Sequence, residues 1–209
     1  MAIGILGNKV GMTQIFDSKG NAIPVTLIKT GPCFVTQIKS LENCGYQAVQ
    51  LGYSEIVSKK KIKRPNLGHC QKSNLPVFRY LKEFRVDDET IFTPGQSFGA
   101  NFFQIGQKVK ISGLTIGKGN QGSVKRNNFH RGPMSHGSKH HRLQGSLGPG
   151  STPGRVFPGK RMAGRMGGEM QTVSGLEVIE IKLDNQLLIV KGCIPGKLGN
   201  LVTITTNNL

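Results

Sequence analysis

From Gly113 to Gly168 the chain reads GLTIGKGNQGSVKRNNFHRGPMSHGSKHHRLQGSLGPGSTPGRVFPGKRMAGRMGG, and no Asp or Glu interrupts it. The stretch holds fourteen Gly, four Pro, ten Lys or Arg and four His. Only eight of its fifty-six residues are Leu, Ile, Val or Phe, below the roughly 20% under which a highly charged segment is expected to stay disordered by itself. Ordering it costs on the order of 1–2 kcal/mol per residue, and nothing inside the stretch offsets that. Ten uncompensated cations call for a polyanionic partner, and nucleic acid is the expectation.

The rest of the chain is long enough for a real core. Its 209 residues suit one domain or two small ones. The formal net charge is +17 and the pI near 10.1, a balance that suggests nucleic acid or an anionic membrane surface as partner. Ten of the seventeen surplus charges fall in the Gly113–Gly168 stretch, so a modestly basic body carries one very basic segment. No run of about eighteen apolar residues is present, and the opening text MAIGILGNKVGM is short and glycine-interrupted for a signal peptide. Membrane partners are therefore not expected. Cys33, Cys44, Cys70 and Cys193 form no C-x-x-C pair, and the expectation is reduced thiols. His69 and Cys70 are adjacent without a second ligand pair, so no metal and no cofactor is assigned.

The text on either side of the basic stretch is strand-like. Asp17-Ser18-Lys19-Gly20-Asn21 predicts a hairpin turn between Met12–Phe16 and Ala22–Thr30; Gly31-Pro32 and Glu42-Asn43-Cys44-Gly45 punctuate before further strands at Cys33–Leu41 and Tyr46–Tyr53. Residues 55–90 break this rhythm. The run Lys59-Lys60-Lys61-Ile62-Lys63-Arg64-Pro65 is either a solvated loop or a second phosphate contact. Leu75-Pro76 suggests a short helical turn before a strand near Phe84-Arg85-Val86. Strand text returns over Phe92–Ile116, with period-two alternation at Lys108-Val109-Lys110-Ile111, and again over Thr172–Leu183, Leu187–Val190 and Leu201–Thr205. The expected fold is mainly β: an antiparallel β-barrel with a small α-containing insertion at 55–90 and a long irregular basic extension loop. The barrel takes its first part from 1–112 and its second from 169–209, with 113–168 ejected between them. So long a loop inside a compact domain is acceptable only if it is functional.

Two short nucleotide-site matches fail on missing residues. Gly117-Lys118-Gly119-Asn120-Gln121-Gly122 fits G-x-G-x-x-G, but no acid follows until Glu169 to hold a ribose. Gly154-Arg155-Val156-Phe157-Pro158-Gly159-Lys160 fits a Walker A loop until Arg161 stands where Ser or Thr is needed, and Pro158 lacks an N–H for the phosphate cradle. His130, His136, His140 and His141 have no Asp, Glu or Cys nearby as co-ligand or orienting group. RNA contact by stacking or hydrogen bonding is the better use of them.

What the basic stretch does offer is close backbone approach at glycine, bidentate phosphate contact at arginine and point charge at lysine. The residues expected to meet RNA are Lys118, Lys125, Arg126, Arg131, His136, Lys139, His140, His141, Arg142, Arg155, Lys160, Arg161 and Arg165. With no amphipathic recognition helix for a major groove, the pattern suits a segment threaded through folded RNA and ordered by it.

Long specific motifs run the length of the chain: Gly4-Ile5-Leu6-Gly7-Asn8-Lys9-Val10-Gly11-Met12-Thr13, then Gly117-Lys118-Gly119 with Gln121-Gly122 and Val124-Lys125-Arg126, and Gly132-Pro133 with Ser135-His136-Gly137-Ser138 and His141-Arg142. They continue in Gly145-Ser146-Leu147-Gly148, Thr152-Pro153-Gly154-Arg155-Val156, Gly159-Lys160-Arg161-Met162-Ala163-Gly164-Arg165-Met166-Gly167 and Leu188-Ile189-Val190-Lys191-Gly192 with Pro195-Gly196. In these the chain closely resembles ribosomal large-subunit protein three of the bacterial and plastid type. The resemblance implies a translation-protein-type β-barrel with an extension toward the peptidyl transferase centre, and binding to large-subunit rRNA near its 3′ end. It also implies an early role in subunit assembly, no catalysis, no small-molecule substrate, and a ribosome in bacterial cytoplasm or plastid stroma. By the same analogy its protein neighbours would be large-subunit proteins fourteen and nineteen, and Gly145-Ser146-Leu147-Gly148-Pro149-Gly150-Ser151-Thr152-Pro153 would be the tip nearest that centre. The chain departs from bacterial relatives at Pro149, where many carry a glutamine that is methylated in some, and at Asn127, where many carry tryptophan.

The rival readings are a DNA-architectural protein, which would bend duplex by wedge insertion, another basic RNA-binding protein, and a nucleotide-dependent enzyme, which a ligand-protection melt would reveal.

Overall fold

The computed structural model describes residues 4–58, 62–87 and 92–206. The chain divides into two compact units, Met1–Leu114 with Met170–Leu209, and Thr115–Glu169. In the first unit the elements are β1 (Gly4–Phe16), β2 (Ala22–Thr30), β3 (Cys33–Lys39), α1 (Leu41–Cys44), β4 (Ala48–Glu55), α2 (Arg64–Gln71), β5 (Phe78–Arg85), β6 (Ser97–Phe98) and β7 (Lys108–Leu114). The second unit contributes β8 (Asn120–Gln121), α3 (Ser123–Asn127) and β9 (Gly164–Arg165), after which β10 (Met170–Lys182), β11 (Leu187–Lys191) and β12 (Leu201–Thr206) complete the first.

Six strands close on themselves in the order β1-β12-β7-β10-β11-β2, every ladder antiparallel. Closure leaves no unpaired edge in the ring. Alternation sorts the side chains: in β7, Val109, Ile111 and Gly113 are buried while Lys108, Lys110 and Leu114 are exposed. Leu6, Ile28, Ile111, Leu188 and Ile204 are among the fully buried side chains of the core. The β1–β2 turn forms where the sequence places it. Asp17 Oδ1 accepts the N–H groups of Lys19 and Asn21, both at 2.8 Å, and this bonding holds the Asp17 carboxyl below its ordinary range, the Asn21 side chain contributing most. Lys9, almost buried on β1, donates from Nζ to the carbonyls of Ile194 (2.9 Å) and Gly196 (3.0 Å), tying the β11–β12 connection to the first strand.

Residues 1–112 do not all enter the barrel. β3 and β4 join β5 and β6 in a separate four-stranded sheet of order β5-β4-β3-β6. The reason is topological: β1 and β11 already occupy both edges of β2, so the chain leaving it at Gly31-Pro32 finds no free barrel edge. The two sheets share one core, in which Val35, Val49, Leu51 and Phe84 cluster with the barrel's buried side chains.

The 55–90 insertion also differs in detail. Its helix is α2, over text that shows no clear period, and Leu75-Pro76 lie outside any helix. Pro65 in the first turn forfeits no helical hydrogen bond. Only Cys70 of the helix is buried, so no apolar stripe marks it in the sequence. β5 starts earlier than expected and serves as a full strand of the sheet. Lys59, Lys60 and Lys61 lie outside the described residues. Within Phe92–Ile116 only β6 and β7 are strands; Phe98 at the end of β6 packs edge to face with Phe102, and Phe102 with Phe103, around a 3-10 turn, Ala100–Phe102, an irregular cluster whose aromatic text mimics a strand.

On the four-stranded sheet a polar network spans three elements. Lys39 Nζ meets Glu83 Oε1 at 2.7 Å, Tyr46 donates to Glu83 Oε2 at 2.9 Å, and Gln50 Nε2 reaches Glu83 Oε1 at 3.3 Å. The Lys39 ammonium, opposed by partial burial and helped by the Tyr46 hydroxyl, holds the Glu83 carboxyl below the usual carboxylate range. A depressed carboxylate stabilises the fold fully above its unfolded value and loses that contribution as pH falls through the folded value. Urea unfolding across the acid range is therefore expected to show a stability loss in the native chain that Glu83→Gln lacks, within the ~0.2–1 kcal/mol of partly exposed pairs. Identical pH profiles for the two proteins would refute the assignment.

Candidate nucleic-acid interface

The unit Thr115–Glu169 is built without a hydrophobic core. Ser123 is its one buried residue, while Ile116, Met134, Leu143, Val156 and Phe157 are exposed. Its shape comes from hydrogen bonds between its limbs. At the root the Thr115 N–H donates to the Glu169 carbonyl at 2.9 Å, the Lys118 N–H to Met166 O at 2.8 Å and the Met166 N–H to Gly119 O at 2.9 Å. The β8–β9 ladder then pairs Asn120 with Arg165 and Gln121 with Gly164. Gly167, at φ +68°, turns where a Cβ would strike the Ile116 carbonyl, so only glycine closes this root.

Beyond the root, α3 and the returning limb are clasped. Arg126 Nη1 and Asn127 Nδ2 both donate to the Met162 carbonyl, at 2.8 and 3.0 Å. The middle section folds back on itself: the Gly132 N–H donates to His141 O at 3.1 Å, and His141 Nδ1 lies 3.0 Å from Pro133 O. A Cβ on Gly132 would meet the His140 carbonyl. This doubling brings Arg131 beside the His140–Arg142 segment. At the far end the Gly154 N–H donates to Gly150 O at 3.3 Å.

Of the thirteen residues expected to meet RNA, His141 is half-buried and the other twelve are exposed: Lys118, Lys125, Arg126, Arg131, His136, Lys139, His140, Arg142, Arg155, Lys160, Arg161 and Arg165. Glu169 is the sole carboxylate of the unit, so these cations are not neutralised within it. Arg126 has a double use, since its guanidinium also clasps Met162. The expected tip, Gly145 to Pro153, is exposed apart from Leu147, which is half-buried. Ser123, Asn127 and Gln144 were not singled out as site residues, although they join distant parts of the unit; Ser123 bonds Gln144 at 3.3 Å. No sequence periodicity links partners so far apart.

The local geometry bears on the discarded motifs. A helix does open after Gly122, but it is five residues long and its neighbouring ladder is antiparallel, so the dinucleotide unit is not built. His136, at φ +56°, sits in a turn rather than on a helix. Among the described residues no three His, Cys, Asp or Glu side chains gather as a metal site, and no helix is long and apolar enough to cross a membrane.

The family model for ribosomal protein L3 matches residues 80–187, a span that includes all of this unit. The chain belongs to the ribosomal protein L3 family. It is 52% identical to the large ribosomal subunit protein uL3c of Phaeodactylum tricornutum over 98% of both chains. It is 54% identical to uL3 of Picosynechococcus sp., covering all of this chain and 98% of the relative. With uL3c of Guillardia theta it shares 53% identity over 98% of this chain and the whole of the relative. An L3-family chain is a structural ribosomal protein rather than an enzyme.

If backbone bonds rather than a core shape the unit, amide exchange along it is expected to be graded. The N–H groups of Thr115, Lys118 and Met166 should exchange more slowly than those of residues 145–153. Asn127→Ala removes one donor from the Met162 carbonyl and should speed exchange at Gly164–Met166 about two- to tenfold, the equivalent of one hydrogen bond of ~0.5–1.5 kcal/mol. Uniform exchange from 115 to 169 would sink the clasp.

Proposed function

We propose that this L3-family chain is a structural constituent of the large ribosomal subunit that grips large-subunit rRNA through Thr115–Glu169. The observation that carries the reading is a unit with one buried residue, twelve exposed cationic or imidazole side chains among the expected contacts, and one carboxylate. A polyanion that enters its folds supplies what the unit lacks: neutralisation of the cations and cover for the exposed apolar residues. Irregular, glycine-rich backbone with arginines at intervals fits folded RNA, whose loops and bulges offer phosphates at uneven spacing. The relatives' names, each a large ribosomal subunit protein, support the same location.

In this reading the barrel and its attached sheet form the body, and the basic unit threads the rRNA near its 3′ end. The segment Gly145–Pro153 lies toward the peptidyl transferase centre, large-subunit proteins fourteen and nineteen are neighbours, and binding comes early in assembly. The protein shapes RNA and performs no chemistry.

Removing residues 117–167 is the direct test. Incorporation into large subunits and affinity for large-subunit rRNA should both be lost, while the barrel still folds. With about six to ten phosphate contacts, the intact chain should lose about three to five decades of affinity between 50 and 200 mM salt. A deletion that left incorporation and salt dependence unchanged would place RNA binding elsewhere.

A further inference from the structure

We propose that a cleft within Thr115–Glu169, between α3 and the segment His140–Gly145, seats one unstacked nucleotide whose base presents a carbonyl oxygen on its pairing edge. The inference rests on the reading of this unit as RNA-binding and adds a base contact to it. The cleft has a volume of about 480 Å³ and is lined by Ser123, His140, Arg142, Leu143, Gln144 and Ala163. That lies within the ~300–1,000 Å³ typical of small-ligand clefts.

Its chemistry is selective. Ser123 is the only buried residue of the unit, and its hydroxyl donates to Gln144 Oε1 at 3.3 Å. The bond fixes which end of the amide faces the protein. Gln144 uses its acceptor internally, and the two N–H groups of Nε2 have no partner in the unit. Donors aimed at a base select one with a carbonyl oxygen on that edge, carried by uracil, guanine and cytosine; adenine has none and sets an amino group against them. His140 and Arg142 offer flat faces for stacking, and Leu143 and Ala163 give the wall an apolar part. A phosphate group would gain from Arg142 and the Gln144 amide but would leave Leu143 and Ala163 facing charge. An unstacked base uses both kinds of wall.

The test compares the full chain with Gln144→Leu, Ala163→Leu and Lys160→Ala in binding to large-subunit rRNA from 50 to 200 mM salt. Gln144→Leu removes the donors, and Ala163→Leu narrows the cleft at another lining position. Each is expected to weaken binding roughly tenfold with the salt slope unchanged, because no phosphate contact is lost. Lys160→Ala, the phosphate-contact control, should instead lower the slope by about one. Carbodiimide for uracil and guanine and dimethyl sulfate for cytosine, which modify these bases at unpaired pairing edges, should between them find one base protected by the native chain and exposed with both cleft variants. Native affinity in both cleft variants, or a loss accompanied by a lower slope, overturns the nucleotide seat. A native chain with no affinity for large-subunit rRNA overturns the RNA-binding reading itself, a distinct outcome.

Discussion

The antiparallel ladder between β7 and β10 is the constraint on which the molecule depends. Leu114 pairs with Met170, so the chain leaves the barrel and re-enters it at neighbouring positions of one ladder. A long excursion is compatible with a compact body only if its ends are brought together, and the cost of closing it grows slowly, as the logarithm of its length. β7 also pairs with β12 and β10 with β11, so the closed ring fixes both feet at once. The excursion inherits this anchorage and needs no core of its own to stay attached.

Much of this was legible in the residues, and for identifiable reasons. Asp17 to Asn21 makes its turn through bonds local to five residues, and Val109-Lys110-Ile111 alternates because one strand face is wet. Both signals are short-range. The basic stretch was legible through composition alone, since the lack of acids and apolar residues needs no fold to be seen. The split of the first part into barrel and separate sheet was not legible, because it follows from which edges of β2 are taken, a long-range fact settled by β11 far along the chain. α2 was hidden by its single buried side chain.

The candidate site divides in the same way. Lys118, Arg131, Arg155 and Lys160 could be named from residue type in an acid-free stretch, and they stand exposed. What sequence could not supply is how the limbs hold one another: Asn127 to Met162, Gly132 to His141, Ser123 to Gln144. Polar contacts between irregular segments have no period. Arg126 shows the consequence for interpretation, because a residue chosen as an RNA contact also serves as an internal clasp.

A unit whose shape rests on backbone bonds and one buried serine has little to oppose a protease. Exposed, glycine-rich tips are where chains are nicked first, and Gly148 to Lys160 is exposed throughout. Under the proposed function, a copy free of RNA would offer this exposed segment to a protease, whereas a copy threaded through rRNA would be shielded along it. The loose construction that would suit the segment to threading would then also tie the lifetime of the protein to its assembly.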